Sequence, residues 1–152
     1  MDNYNLNRFV EAQKNTYKIA LNEIKNGYKQ SHWIWYIFPQ HEHLGYSYNS
    51  KFYGISCLEE AKEYLFHPVL GIRLKEILTT LLEHSDKAIE DILGDIDALK
   101  LKSSMTLFDI VSSDDIFHTV LNVFYSGERD NLTLSLLSVS TSKLSVEKNP
   151  SN

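Results

Sequence analysis

Two tryptophans lie close to a lysine, a histidine and a glutamine within 27–40, and this grouping is the first place where residue types suggest chemistry. Trp33 and Trp35 offer flat apolar faces, while Lys29, His32 and Gln40 add a charge, a titrating ring and an amide. A small planar ligand such as a nucleobase or a nicotinamide ring needs that combination. His32 is the proton donor or acceptor of the set, because a free imidazole titrates near neutral pH. The competing reading is plain core, in which the indoles bury against helices and His32 satisfies a backbone partner.

A second group occupies 97–108. At helical spacing Lys100, Ser103, Ser104 and Leu107 fall along one side, with Met105 and Phe108 nearby. A lysine with hydroxyls three and four positions on can hold a phosphate or a carboxylate, and a desolvated amine can activate a serine. The same residues also read as a solvent-facing lysine with indifferent helical serines. The triplet His41-Glu42-His43 invites a metal, but neither an HExxH nor a paired-cysteine pattern supplies further ligands. Solvated loop histidines are the expectation there, and no metal or cofactor is assigned. Gly127 followed by Asp130 reads as a helix stop and a helix cap, with one oxygen of Asp130 left to face a site.

The elements that must carry these groups read as helices. Leu6, Phe9, Val10, Tyr17, Ala20, Leu21 and Ile24 recur at three- and four-residue steps, which predicts one helix over 6–24 closed by Gly27. Gln13 interrupts that apolar stripe, so its amide must point inward and find hydrogen bonds from protein, water or a ligand. The stretch 27–54 has no long period and is read as an aromatic-rich irregular segment. Within it, 32–37 stays open between a short turn capped by Ser31 and a buried strand, with Pro39 closing either.

Further on, Ser56 with Glu59 forms a capping box for a helix over 58–66. Pro68 starts a helix to about Glu83. Ser85 caps a short helix through Leu93, Asp97 caps another to Val111, Ser113 or Asp114 caps 116–125, and Asp130 opens a last short helix. The expectation is a mainly α, compact single-domain fold of about six to seven helices over 1–139. A tail rich in Ser, Thr, Lys and Asn over 140–152 is expected to be disordered.

At 152 residues, 43% of them hydrophobic and 23% charged, the chain is long enough to bury its own core. Its 20 acidic residues against 15 basic ones give a net charge of -5, which argues against nucleic acid or anionic membranes as partners. No apolar run approaches the roughly 20 residues of a membrane span, and no basic-then-apolar leader opens the sequence. The single Cys57, read as structural, excludes an intrachain disulfide framework. The expected location is the cytoplasm.

The residues also carry a family likeness. It lies in Arg8-Phe9-Val10 with Ala12-Gln13, the pattern His-Trp-x-Trp-x-x-Phe-Pro-Gln at 32–40, Leu44-Gly45 with Ser47, and His67-Pro68. It continues in Leu70-Gly71 with Arg73-Leu74, Asp97 with Lys100, Ser-Ser-Met-Thr-Leu-Phe at 103–108, and Gly127 with Asp130 and Thr133. Over about 6–137 the chain resembles the domain-of-unknown-function 1810 family. That resemblance implies a small, mainly helical cytoplasmic protein of bacterial type with no established activity. The motifs are rich in polar and aromatic groups, more than packing alone asks for: Gln13, His32, Trp33, Gln40, Ser47, Lys100, Ser104 and Thr106. Where the family pattern has Gly-Leu-Gly this chain has His43-Leu44-Gly45, so neither His41 nor His43 inherits a role. In size and helical content the chain is also similar, as an analogy only, to the NADAR group tied to NAD and ADP-ribose metabolism.

These readings predict that the aromatic loop 29–47 closes over the helix 100–108 around a pocket for a small anionic, ring-bearing ligand of nucleotide, NAD or ADP-ribose type. Gln13, Lys29, Trp33, Gln40, Ser47, Lys100, Ser103 and Thr106 are the expected binding residues, and His32 and Ser104 the expected catalytic ones. If a bond is broken, a hydrolase or glycosidase is the reaction class. The alternative is a protein-interaction module with an exposed patch of Trp and Tyr anchors.

Overall fold

The computed structural model describes residues 2–138, and most of them are helical. In chain order come α1 (Asn7–Gln13), α2 (Tyr17–Lys25), α3 (Ile34–Ile37), a 3-10 turn (Glu42–Leu44), α4 (Tyr48–Phe52), α5 (Leu58–Phe66), α6 (Leu70–Leu82), α7 (Ile89–Leu93), α8 (Asp95–Val111), α9 (Ile116–Tyr125) and α10 (131–138). Among the described residues seven helices have seven residues or more, and the sole β-type pairing is a parallel bridge between His41 and Ile55. The mainly α expectation holds. The expected tail at 140–152 lies outside the described residues.

Helix α8 is enclosed around most of its circumference, with Ala98, Leu101, Met105, Leu107 and Phe108 all buried, because α3, α5, α7 and α9 pack against it. One aromatic seam joins four helices. Phe9 meets Tyr64 edge-on at 5.1 Å, Tyr64 meets Phe108 at 5.5 Å, and Phe108 meets Phe117 at 5.5 Å. Such offset and edge contacts suit the ring quadrupoles as well as burying area. Helix α6 buries Leu70, Leu74, Ile77, Leu78 and Leu81, the stripe its spacing predicts. Gly71 lets α6 start tight against the end of α5, since a Cβ there would stand 1.9 Å from the Leu65 carbonyl oxygen.

Several boundaries differ from the sequence expectation, each for a visible reason. The helix expected over 6–24 is two helices. Thr16 Oγ1 donates back to the Ala12 carbonyl at 2.6 Å, a side-chain bond that competes with the helical ladder. Residues 34–37 form a short helix rather than a strand, and Ser31 does not cap it because its hydroxyl is taken by Glu23. At α5 the capping pair is shifted by one. Glu60, not Glu59, accepts from Ser56 N–H at 2.9 Å and Ser56 Oγ at 2.8 Å, while Arg8 Nη2 fixes its other oxygen at 2.8 Å.

Helix α7 starts only at Ile89, behind Ala88 rather than Ser85. Gly94 takes φ +87°, a left-handed turn that lets α8 begin immediately at Asp95. Asp97 therefore lies inside the first turn instead of capping it. Asp115, not Ser113 or Asp114, caps α9 by accepting from Ile116 N–H at 2.7 Å. Asp130 does open α10, accepting from Thr133 N–H at 2.9 Å. Among the described residues no helix is long and apolar enough to cross a membrane.

Candidate functional site

The aromatic segment is organised by a carboxylate that the sequence reading passed over. Glu23 on α2 is buried, and its Oε1 accepts from the N–H groups of Gln30 at 2.8 Å and Ser31 at 3.0 Å and from Trp33 Nε1 at 2.8 Å. Its Oε2 accepts from Ser31 Oγ at 2.5 Å. Burial by itself raises the pKa of this carboxyl, but the four donors outweigh it and hold the group down at about 2. The signal was legible: Glu23 sits three positions after Ala20 and beside Ile24, on the stripe that faces inward.

Held this way, Lys29 is delivered to the start of α8. Its N–H donates to the Ile92 carbonyl at 2.8 Å, and its ammonium lies 2.8 Å from Asp97 Oδ2, 2.5 Å from the Ser31 carbonyl oxygen and 4.9 Å from the Trp33 ring centroid. Only 7% of that side chain is exposed. Lys100, one turn along α8, is arranged differently. Its ammonium stands 3.8 Å from Asp97 Oδ1 and 5.0 Å from the Trp35 ring centroid, and among the described residues it makes no hydrogen bond. Three donors are left for something else.

Two ammonium groups thus share the Asp97 carboxylate at the N-terminus of a 17-residue helix, and Asp95 in the same first turn balances the second of them in the cleft lining. No side chain caps that terminus. Ala98 N–H closes the first turn on the Gly94 carbonyl at 3.0 Å, so the preceding N–H groups have no intrahelical acceptor. Trp35 Nε1 is sealed from solvent without a partner. These features surround a cleft of about 590 Å³ lined by Lys29, His32, Trp35, Gly94, Asp97 and Lys100, among others. A second hollow of about 340 Å³, lined by Gln40, Ser50, Ser103, Asp130 and Leu132, shares Ile96 and Lys100 with the first.

The two distant segments therefore meet as expected, and Lys29, His32 and Lys100 line one cleft while Gln40 and Ser103 line its neighbour. The remaining candidates are placed elsewhere. Trp33 is 1% exposed with its indole N–H on Glu23, so it supports the segment from beneath and Trp35 is the indole that faces the cleft. The Gln13 amide is satisfied by protein: it donates to the Tyr36 carbonyl at 2.7 Å and Tyr64 OH at 3.2 Å and accepts from Arg73 at 3.4 Å. Ser47 is exposed and caps α4, accepting from Ser50 N–H at 3.1 Å. Thr106 is fully buried, donating to the Lys102 carbonyl and accepting from Asp130 N–H, both at 2.8 Å.

Ser104 is fully buried, and its hydroxyl has no partner. A nucleophile needs a base within hydrogen-bond reach and access to its substrate, so the geometry gives Ser104 neither requirement. His41 is also buried, with Nδ1 accepting from His43 N–H at 3.1 Å, and burial pushes its pKa down with the neighbouring His43 adding to the effect. No group of three or more His, Cys, Asp or Glu residues among the described ones is placed to hold a metal ion. Asp97 and Trp35 line the cleft although neither is among the expected binding or catalytic residues. Asp97 was taken for a cap, and only the Gly94 turn reassigns it.

A family model described as "Protein of unknown function (DUF1810)" matches residues 3–137. Among solved structures, the conserved hypothetical protein Rv1873 from Mycobacterium tuberculosis is similar to the chain at 42% identity. That match covers 89% of this chain and 97% of the other with a TM-score of 0.87. No curated protein matches.

Proposed function

Since the chain belongs to the DUF1810 family of proteins of unknown function, we propose from its own geometry that it binds a small anionic, ring-bearing ligand of nucleotide, NAD or ADP-ribose type in the cleft between the aromatic segment and the start of α8. The observation that carries this reading is the Lys100 ammonium, poised over Trp35 at 5.0 Å and 3.8 Å from Asp97 Oδ1, with no hydrogen bond among the described residues. The anionic group takes the donors of Lys100, on the side of the cleft away from the Asp95 and Asp97 carboxylates of the first turn of α8. The ring lies against the part of the Trp35 indole that lines the cleft. His32 lines the same cleft and is the group that exchanges a proton if the ligand is hydrolysed.

Calorimetric titration with ADP, AMP, NAD and ADP-ribose tests this. The expected result is saturable binding that Lys100→Met weakens about tenfold or more, the worth of a charge-assisted hydrogen bond. The same mixtures, followed by chromatography for released nicotinamide or AMP, show whether His32 does more than bind. Failure of all four compounds to bind would sink the reading.

One observation favours a second reading, a surface for a protein partner. Tyr46 and Tyr48 are 93% and 75% exposed, and Tyr48 stacks on Phe52 at 5.6 Å. The tryptophans take no part in it. Tyr48→Ser lowers a concentration-dependent size in sedimentation if that surface binds protein, and leaves the cleft unaffected.

A further inference from the structure

The second hollow carries chemistry that anion binding at Lys100 does not use. Gln40 is 7% exposed, and its backbone is pinned by the Ile55 N–H on its carbonyl at 2.9 Å. Its side-chain amide nevertheless makes no hydrogen bond among the described residues while lining the hollow. Its amide nitrogen and oxygen keep contact with the solvent of the hollow, so a ligand group can take the place of water there. Opposite in character stands Asp130. Its Oδ2 is occupied by Thr133 N–H at 2.9 Å and Thr133 Oγ1 at 2.6 Å, its backbone N–H is anchored on Thr106 at 2.8 Å, and its Oδ1 accepts no hydrogen bond among the described residues. Ser103 and Ser50 complete the polar lining.

An amide that both donates and accepts, a carboxylate oxygen that accepts only, and hydroxyls make up a set suited to recognising hydroxyl groups. A second anion is disfavoured there by Asp130. Because Lys100 lines both hollows, an anion held by its ammonium has one exit toward Trp35 and another toward Gln40 and Asp130. We propose that the ligand is bipartite about a phosphate group at Lys100, with a ring arm on the Trp35 side and a polyhydroxylated, sugar-like arm on the other that bonds to Gln40 and Asp130. This deepens the binding reading above and rests on it.

The test is calorimetric and compares ADP with ADP-ribose and ADP-glucose on the wild-type chain and on Gln40→Leu and Asp130→Asn. The second substitution keeps an oxygen for the α10 cap. Expected is an affinity for the sugar-bearing compounds at least tenfold above that for ADP, with the ratio falling toward one in both variants. Circular dichroism confirms that each variant is folded. Binding of ADP with no gain from either sugar overturns the bipartite ligand and leaves the anion site standing. A ratio that survives in both folded variants overturns it as well. Absence of binding by all three compounds to the wild-type chain removes the underlying reading itself.

Discussion

The carboxylate of Asp97 and the ammonium of Lys29 meet at 2.8 Å across the seam between the aromatic segment and α8, with the lysine side chain 7% exposed and the aspartate 18%. The pair is unequal in burial, and its two halves differ in cost. Asp97→Asn leaves an enclosed cation facing no carboxylate, a loss of about 3 kcal/mol. Lys29→Met leaves a more exposed carboxylate that still has Lys100 nearby, and costs about 1 kcal/mol. Urea denaturation of both variants reads the difference, and equal losses would contradict it.

Glu23 predicts an acid-side transition. Its folded-state pKa of about 2 lies below the ordinary value of 4.5, so the stabilisation is complete above about pH 4.5 and is lost as the pH falls toward 2. Glu23→Gln removes this pH dependence and, having one oxygen where four donors converge, lowers stability near neutrality by about 2 kcal/mol. Melting temperatures of both proteins at a series of pH values check the prediction: the two curves converge at low pH.

Ser104→Ala removes a fully buried hydroxyl that has no partner. The expected change is a gain of about 1 kcal/mol in unfolding free energy, with ligand titrations superimposable on those of the wild type. A catalytic serine would give the opposite result, lost turnover at unchanged stability.

Gly71→Ala forces a Cβ to within 1.9 Å of the Leu65 carbonyl oxygen. Backbone cannot yield there without parting α5 from α6, and the expected loss is about 3 kcal/mol. Ile72→Ala, at a side chain 69% exposed, serves as the control and stays within about 0.5 kcal/mol.

Much of the architecture was written in local patterns. The spans 58–66 and 116–125 were legible to the residue from their apolar spacing, even though the caps fall on Glu60 and Asp115 rather than on the expected residues. The break between α1 and α2 was not, since apolar spacing resumes at Tyr17 as if one helix continued, and only the Thr16 hydroxyl donating back to the Ala12 carbonyl shows why the chain resets. The meeting of Lys29 and His32 with Lys100 was foreseen from residue types alone. Which member of each motif faces the cleft was not, because side-chain direction depends on remote partners: Glu23 claims Trp33, Thr106 claims the Asp130 backbone, and the Gly94 turn frees Asp97 from capping.

The chain has two indoles, and they see unlike surroundings: Trp33 is 1% exposed with its N–H on Glu23, while Trp35 faces the cleft with its N–H unpartnered. The molecule therefore carries two separate optical reporters. Emission from a Trp35→Phe variant follows unfolding of the core, whereas emission from a Trp33→Phe variant responds to whatever settles beside Lys100, so occupancy and integrity are readable in the same cuvette without a label.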